Sequence, residues 1–134
     1  MTLRTRPGGA HEARRRLAKA REFLEIAEVA QSGGLHNGAA NAAVAAGIGA
    51  SDAICCIKLG KYSRAQAHSE AVTLLGQAEP AVERHLRRLL GWKDEAAYGM
   101  DDIPPQEAST ALRHARVLVE RAEAVVAEQF DSEL

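Results

Sequence analysis

The sequence predicts an all-α protein: an up-and-down bundle of four long helices and one short one. Three observations carry this. Alanine is very abundant, aromatic residues make up only 4% of the chain, and no region dense in β-branched residues is broken by turn signals. Apolar residues instead recur at helical spacing in segments set off by Gly and Pro. At 134 residues the chain is one domain of ordinary size, large enough to form a core without disulfides or metal.

Residues 1–9 contain Pro7, Gly8 and Gly9 and read as a flexible tail ahead of a single helical-bundle domain over 10–134. A first helix is expected over 10–32. Its stripe of Leu17, Ala20, Leu24 and Ala27 is widened by Phe23 and Ala30, and Gly33 and Gly34 stop it. A second helix, 36–59, is made almost entirely of Ala and Gly and ends at Gly60. Small side chains let backbones approach closely, so this helix belongs at the centre, and its small-residue face is suited to packing on its own copy in a two-fold dimer. A short helix follows near 66–76. Pro80 begins a fourth helix, where its missing N–H costs nothing. That helix carries the stripe Val82, Leu86, Leu89 and Leu90, and then, anomalously, Lys93 at the next turn. The acidic loop MDDIPP leads to a fifth helix over 105–130, whose stripe from Ala108 to Val126 is continuous. Connections of about two to six residues make neighbouring helices antiparallel.

The formal net charge of −1 excludes a uniformly basic nucleic-acid binder but leaves local patches. Cys55 and Cys56 are adjacent on the second helix, so their side chains point about 100° apart. They read as small buried hydrophobes rather than as a metal or disulfide site. With no further Cys and no signal peptide, the cytoplasm is the expected compartment. The run over 38–57 has the length of a membrane span, but Asn41 and Asp52 interrupt it, so a buried helix and no membrane partner are expected.

Several constellations are able to carry chemistry. Arg14, Arg15, Arg16, Lys19 and Arg21, with Arg4 and Arg6 upstream, either neutralise phosphates or form a solvated face with Glu12, Glu22, Glu25 and Glu28. Arg84, Arg87 and Arg88 with His85 make a second basic cluster. Arg64 and His68, four residues apart, are the guanidinium and imidazole that a metal-independent ribonuclease needs. Alternatively, His68 caps the third helix or bonds Asp52, the lone acid of the second helix, and Arg64 is exposed. Lys93, Asp94 and Tyr98 cluster within about a turn and a half. There Lys93 either holds phosphate or snorkels past the leucines, and Tyr98 either contacts a nucleotide or covers the bundle end. The five histidines, at 11, 36, 68, 85 and 114, form no pair at metal-binding spacing, and His114 is expected in solvent beside Arg113 and Arg116. No metal or cofactor is expected.

The layout resembles HEPN domains, small helical bundles of prokaryotic nucleotide-linked and toxin-antitoxin systems. The resemblance covers roughly 14–126. It rests on the small-residue second helix LHNGAANAAVAAGIGASDAI, the His-led AHSEAVTLL, and KDEAAYG at the end of the fourth helix. It implies a homodimer with a basic cleft for RNA or a nucleotide, and a protein partner such as a nucleotidyltransferase. Active members are metal-independent ribonucleases that use an Arg followed, after four to six residues, by a His near the end of the fourth helix. Here Lys93 stands where that Arg is expected and no His follows at that distance, whereas Tyr98 is retained. Lys lacks the planar fork that clamps a phosphate. The resemblance therefore implies a non-catalytic RNA or nucleotide binder, with Lys93, Asp94 and Tyr98 in its cleft and Arg64, His68 and Asp52 as a second polar group. A ribonuclease toxin with a degenerate site and a structural dimerisation or adaptor module are the alternatives.

Overall fold

The Glu12 carboxylate opens the first helix by accepting a hydrogen bond from the Gly9 N–H at 2.8 Å, the reach-back half of a capping box. From there the computed structural model describes residues 2–64 and 68–133, with side chains through Phe130. The helices are α1 (Ala10–Ser32), α2 (His36–Leu59), α3 (His68–Ala78), α4 (Glu83–Leu90), α5 (Lys93–Tyr98) and α6 (Pro105–Glu133), with a 3-10 turn over Pro80–Val82. The expected start of the third helix at 66 and 67 lies outside the described residues.

The protein is all-α apart from one small ladder. Strands β1 (Thr5–Pro7) and β2 (Lys61–Ser63) pair antiparallel, with Arg6 opposite Tyr62. Flanking bonds from the Gly8 N–H to the Gly60 carbonyl and from the Arg64 N–H to the Arg4 carbonyl extend the pairing. The segment expected as a tail is thus a strand. It is tied further where the buried carboxylate of Glu70, on α3, accepts bonds from the backbone and guanidinium of Arg4. Three residues per strand give no periodicity to read, which is why the pairing is invisible in the sequence.

Helix α2 is the central element, with 14 of its 24 residues buried. Gly60 ends it in the left-handed conformation, φ 69°, and its N–H returns to the Cys56 carbonyl. Helix α1 runs antiparallel to α2: Arg16 lies beside Asp52, Ala20 beside Gly49, and Ala30 meets Leu35 at the turn. Helix α6 crosses back along both. Arg21 and Glu28 of α1 pair with its Glu123 and Arg116 at 3.3 Å each, and Leu118 approaches Gly47 of α2. Leu89 of α4 presses on Gly47 from the same side. Helix α2 is long and apolar enough to cross a membrane by length and composition, but 67% of its most apolar window is buried inside the fold. The small residues expected to meet a second copy are thus engaged at their centre by α1, α4 and α6 of the same chain.

The expected four long helices are three, because the fourth is broken. After its 3-10 entry α4 lasts only from Glu83 to Leu90. At Gly91 and Trp92 the N–H groups reach back three residues, to the Arg88 and Leu89 carbonyls, and α5 begins in a new phase. The break removes the anomaly at Lys93: it starts a separate helix and does not continue the leucine stripe.

Gly47→Ala tests the close packing of α2. In an open helix this change gains about 1 kcal/mol, but a Cβ here collides with Leu89 and sits 3.3 Å from Leu118. The expected outcome is a loss of about 1–3 kcal/mol in urea unfolding; a gain is the opposite result.

Candidate functional site

Helix α4 buries Leu86, Leu89 and Leu90, which leaves Arg84, Arg87 and Arg88 in solvent and His85 half-buried. The helix lies along α6, and there His85 meets His114. Their Nδ1 atoms are 2.9 Å apart and their ring centroids 5.1 Å. The contact is a hydrogen bond when one nitrogen carries a proton and the other is bare. Trp92, just after the helix break, lies 6.3 Å from His114 between ring centroids. Its indole N–H donates to Glu107 at 3.1 Å, and the Arg88 guanidinium stands 5.9 Å from its ring centre.

The electrostatics of this cluster are one-sided. Burial lowers the pKa of both imidazoles, and the arginines lower it further: Arg84 acts on His85, while His85, Arg88, Arg113 and Arg84 act on His114. Among the described residues no ion pair holds Arg84, Arg88 or Arg113. The N-terminal basic cluster differs. Arg4 pairs with Glu70, Arg16 with Asp52 and Arg21 with Glu123, while Arg14 stacks on Phe130. Arg84 and Arg88 of α4 and Arg113 of α6 thus stand without an ion pair among the described residues, as do Arg6, Arg14 and Arg15, whereas Arg87, Arg116 and Arg121 are paired.

On the other flank of α4, a groove of about 460 Å³ runs between α3 and α4. His68, Ser69 and Thr73 line it from α3, Glu83 and Arg87 from α4. Arg87 is paired with Glu83 within the helix. The structure thus brings the sequence-predicted His68 to the basic helix. Lys93 is half-buried at the start of α5, Asp94 is exposed, and Tyr98 is 85% exposed rather than folded over the bundle end. Arg64 is exposed at the end of β2.

Asp52 belongs elsewhere. It is buried, and its ion-pair partner among the described residues is Arg16, at 3.6 Å, rather than His68. The Arg16 guanidinium lies 4.7 Å over the Tyr62 ring. Burial pushes the Asp52 carboxyl up to about 7, with Arg16 opposing. Burial and the neighbouring Asp52 also push Cys55 up to about 12 and Cys56 to about 11, so both stay protonated thiols. Among the described residues no group of three or more His, Cys, Asp or Glu side chains is placed to hold a metal ion.

Sequence reasoning missed His114, Arg113 and Trp92 as one unit with α4. His114 is half-buried, not in solvent. A signal was present: His85, Arg88 and Trp92 recur at helical spacing, and His114 lies between Ala111 and Leu118 on the edge of the apolar stripe. Their meeting across two helices has no counterpart in sequence spacing.

The pH dependence of stability separates the two buried sets. His85 and His114 have lowered pKa values, so their contribution is present above the ordinary 6.5 and is lost as pH falls through the folded value. Asp52 is raised, so its contribution is complete below 3.8 and is lost as pH rises through about 7. Unfolding followed across this range should show His114→Asn flattening the acid-side loss. Asp52→Asn should be more stable than the wild type above pH 7, by a few kcal/mol at about 1.4 kcal/mol per unit, and should gain nothing near pH 4. Parallel curves for wild type and both variants would contradict these assignments.

Compared with protein-family models and with curated proteins, the chain matches none.

Proposed function

We propose that this chain is a HEPN-like helical bundle that binds RNA or a nucleotide, without cleaving it, through the cationic face of α4 and α6, and that it does so in the cytoplasm alongside a protein partner. The observation that carries the reading is the set of arginines without an ion pair among the described residues, Arg84, Arg88 and Arg113, near His85, His114 and the only tryptophan. Guanidinium groups beside an aromatic ring are what single-stranded nucleic acid uses: the cations meet phosphates and the ring meets a base. Lys93 adds a cation one residue beyond Trp92, and Tyr98, on the same short helix, offers a second exposed ring. Asp94 shares the exposed face of α5 with Tyr98 and is the one acid of that helix four residues from the ring.

Absence of cleavage follows from what these residues lack. Lys93 has no planar fork. His68, the imidazole the sequence offers for moving a proton, shares its groove with Arg87, whose guanidinium is held by Glu83. A bound anion beside His85 and His114 favours their protonated forms, so affinity should strengthen as pH falls.

Trp92 is a built-in probe. Its fluorescence should change saturably when a single-stranded RNA oligonucleotide is titrated in, and the RNA should run uncut on a gel afterwards. Raising salt should weaken binding, and replacing Arg84, Arg88 and Arg113 together by Ala should lower affinity about tenfold or more while flattening the salt dependence by roughly 2 in log-log slope. No binding at low salt, or binding untouched by the triple change, would overturn the reading; cut RNA, with cutting lost in His68→Ala, would establish the ribonuclease instead.

A further inference from the structure

Helix α1 and strand β2 enclose a small hollow of about 190 Å³. Glu12, Arg15, Arg16 and Lys19 line it from successive turns of α1, and Tyr62 of β2 completes it. Spacings of three and four residues put the three cations on one helix face. Their charge is not spent within the fold. Arg15 and Lys19 are exposed and have no ion pair among the described residues. Arg16 stands 3.6 Å from the buried Asp52 carboxylate, within ion-pair range but beyond a hydrogen bond. Its guanidinium lies 4.7 Å over the Tyr62 ring. The ring and the carboxylate therefore fix where the guanidinium stands, and Asp52 does not consume its N–H groups. Glu12 is the one acid that lines the hollow, and its Oε1 is engaged by the Gly9 N–H at 2.8 Å.

We propose that this hollow binds a phosphate group, free or carried as a phosphomonoester, held by Arg15, Arg16 and Lys19. The site is separate from the RNA face, whose arginines belong to α4 and α6. Like charges on adjacent turns repel one another, and a doubly charged anion among them reverses that cost. A guanidinium fork meets two phosphate oxygens at once, and the Lys19 ammonium adds a point charge. Size favours a compact anion. The hollow has less than half the volume of the α3–α4 groove, about 190 against about 460 Å³, so it fits one tetrahedral group and not the base and sugar of a nucleotide as well. Asp52 stands behind the site as an internal anion. It holds Arg16 in place when the hollow is empty and offsets part of its charge, so it keeps affinity below what three uncompensated cations would give.

Inorganic phosphate titrated into the isotope-labelled full chain at constant ionic strength, with amide chemical shifts as the readout, tests this. The pH is set about one unit above the value of about 7 to which Asp52 is pushed, so that its carboxylate is ionised. Resonances of Arg15, Arg16, Lys19 and Tyr62 should move together and saturate. Arg15→Gln combined with Lys19→Gln should lower the affinity about tenfold or more and, both side chains being exposed, leave the far-UV circular dichroism spectrum unchanged. Asp52→Asn, which reaches the hollow through Arg16 and does not line it, should tighten binding several-fold. Replacing Arg84, Arg88 and Arg113 by Ala should leave these shifts untouched, which separates failure here from failure of the RNA reading. Glycerol 3-phosphate distinguishes the two sources: binding tighter than that of inorganic phosphate assigns the site to a phosphate on a larger molecule, and weaker binding assigns it to the free ion. Absence of a saturable shift around the hollow overturns the proposal. So does saturation that survives the double change, or that Asp52→Asn leaves unaltered or weakens.

Discussion

The structure depends on how closely other helices can approach the middle of α2. Leu89 from α4 and Leu118 from α6 converge on Gly47, and Ala20 of α1 lies against Gly49. Side chains of ordinary size at these places would hold the surrounding helices apart, and the core is too poor in large residues to fill the resulting space. Its fully buried members include many alanines, and the largest are leucines and one isoleucine. Close backbone approach replaces bulk: dispersion contacts between neighbouring helices substitute for the area that larger side chains would bury. The placement of α4 follows from the same contact, because Leu89 can reach α2 only where a Cβ is missing.

Charge is distributed around this core in two ways. On the side of α1 and the β-ladder, three of the arginines have acids: Glu70 for Arg4, Asp52 for Arg16, Glu123 for Arg21. These pairs join segments far apart in sequence and fix the N-terminal strand and the α1 flanks. On the side of α4 and the first half of α6, Arg87 and Arg116 have acids, whereas Arg84, Arg88 and Arg113 gather near two histidines and a tryptophan with no ion pair among the described residues. Like charges gathered without compensation cost stability.

Helix limits set by glycine were legible. The bounds of α1 and α2, from Gly33 with Gly34 and from Gly60, are those read from the sequence, since the left-handed turn that Gly34 and Gly60 adopt is a local property of the chain. What depended on tertiary contact was not legible. The Thr5–Pro7 strand needs Lys61–Ser63 opposite it, and Asp52 has Arg16 as its partner only because α1 and α2 run antiparallel with that offset. The basic residues of α4 were read correctly as a cluster. Their joining to His114 and Arg113 depends on the crossing of α4 over α6, 29 residues along the chain from His85 to His114, which no spacing rule encodes.

The break at Gly91 and Trp92 ties the fold to the candidate site. Had α4 continued as the leucine stripe suggests, the stripe would have ended on Lys93, a cation facing the core, and Trp92 would have followed the direction of Arg88 into solvent. Tightening the last turn instead swings Trp92 onto His114 and lets its N–H reach Glu107. It also releases Lys93 and Tyr98 onto a helix of only six residues, too short to be stable alone. Helix α5 is held by packing on α2 and by the loop that follows, where the Asn37 side chain bonds both Asp102 and the Ile103 N–H. The same tightened turn at Gly91 and Trp92 therefore takes Lys93 off the leucine stripe and brings Trp92 to His114. An uninterrupted helix would have been locally more regular and would have kept Trp92 beside Arg88, four residues back, but it would have turned the ring away from His114.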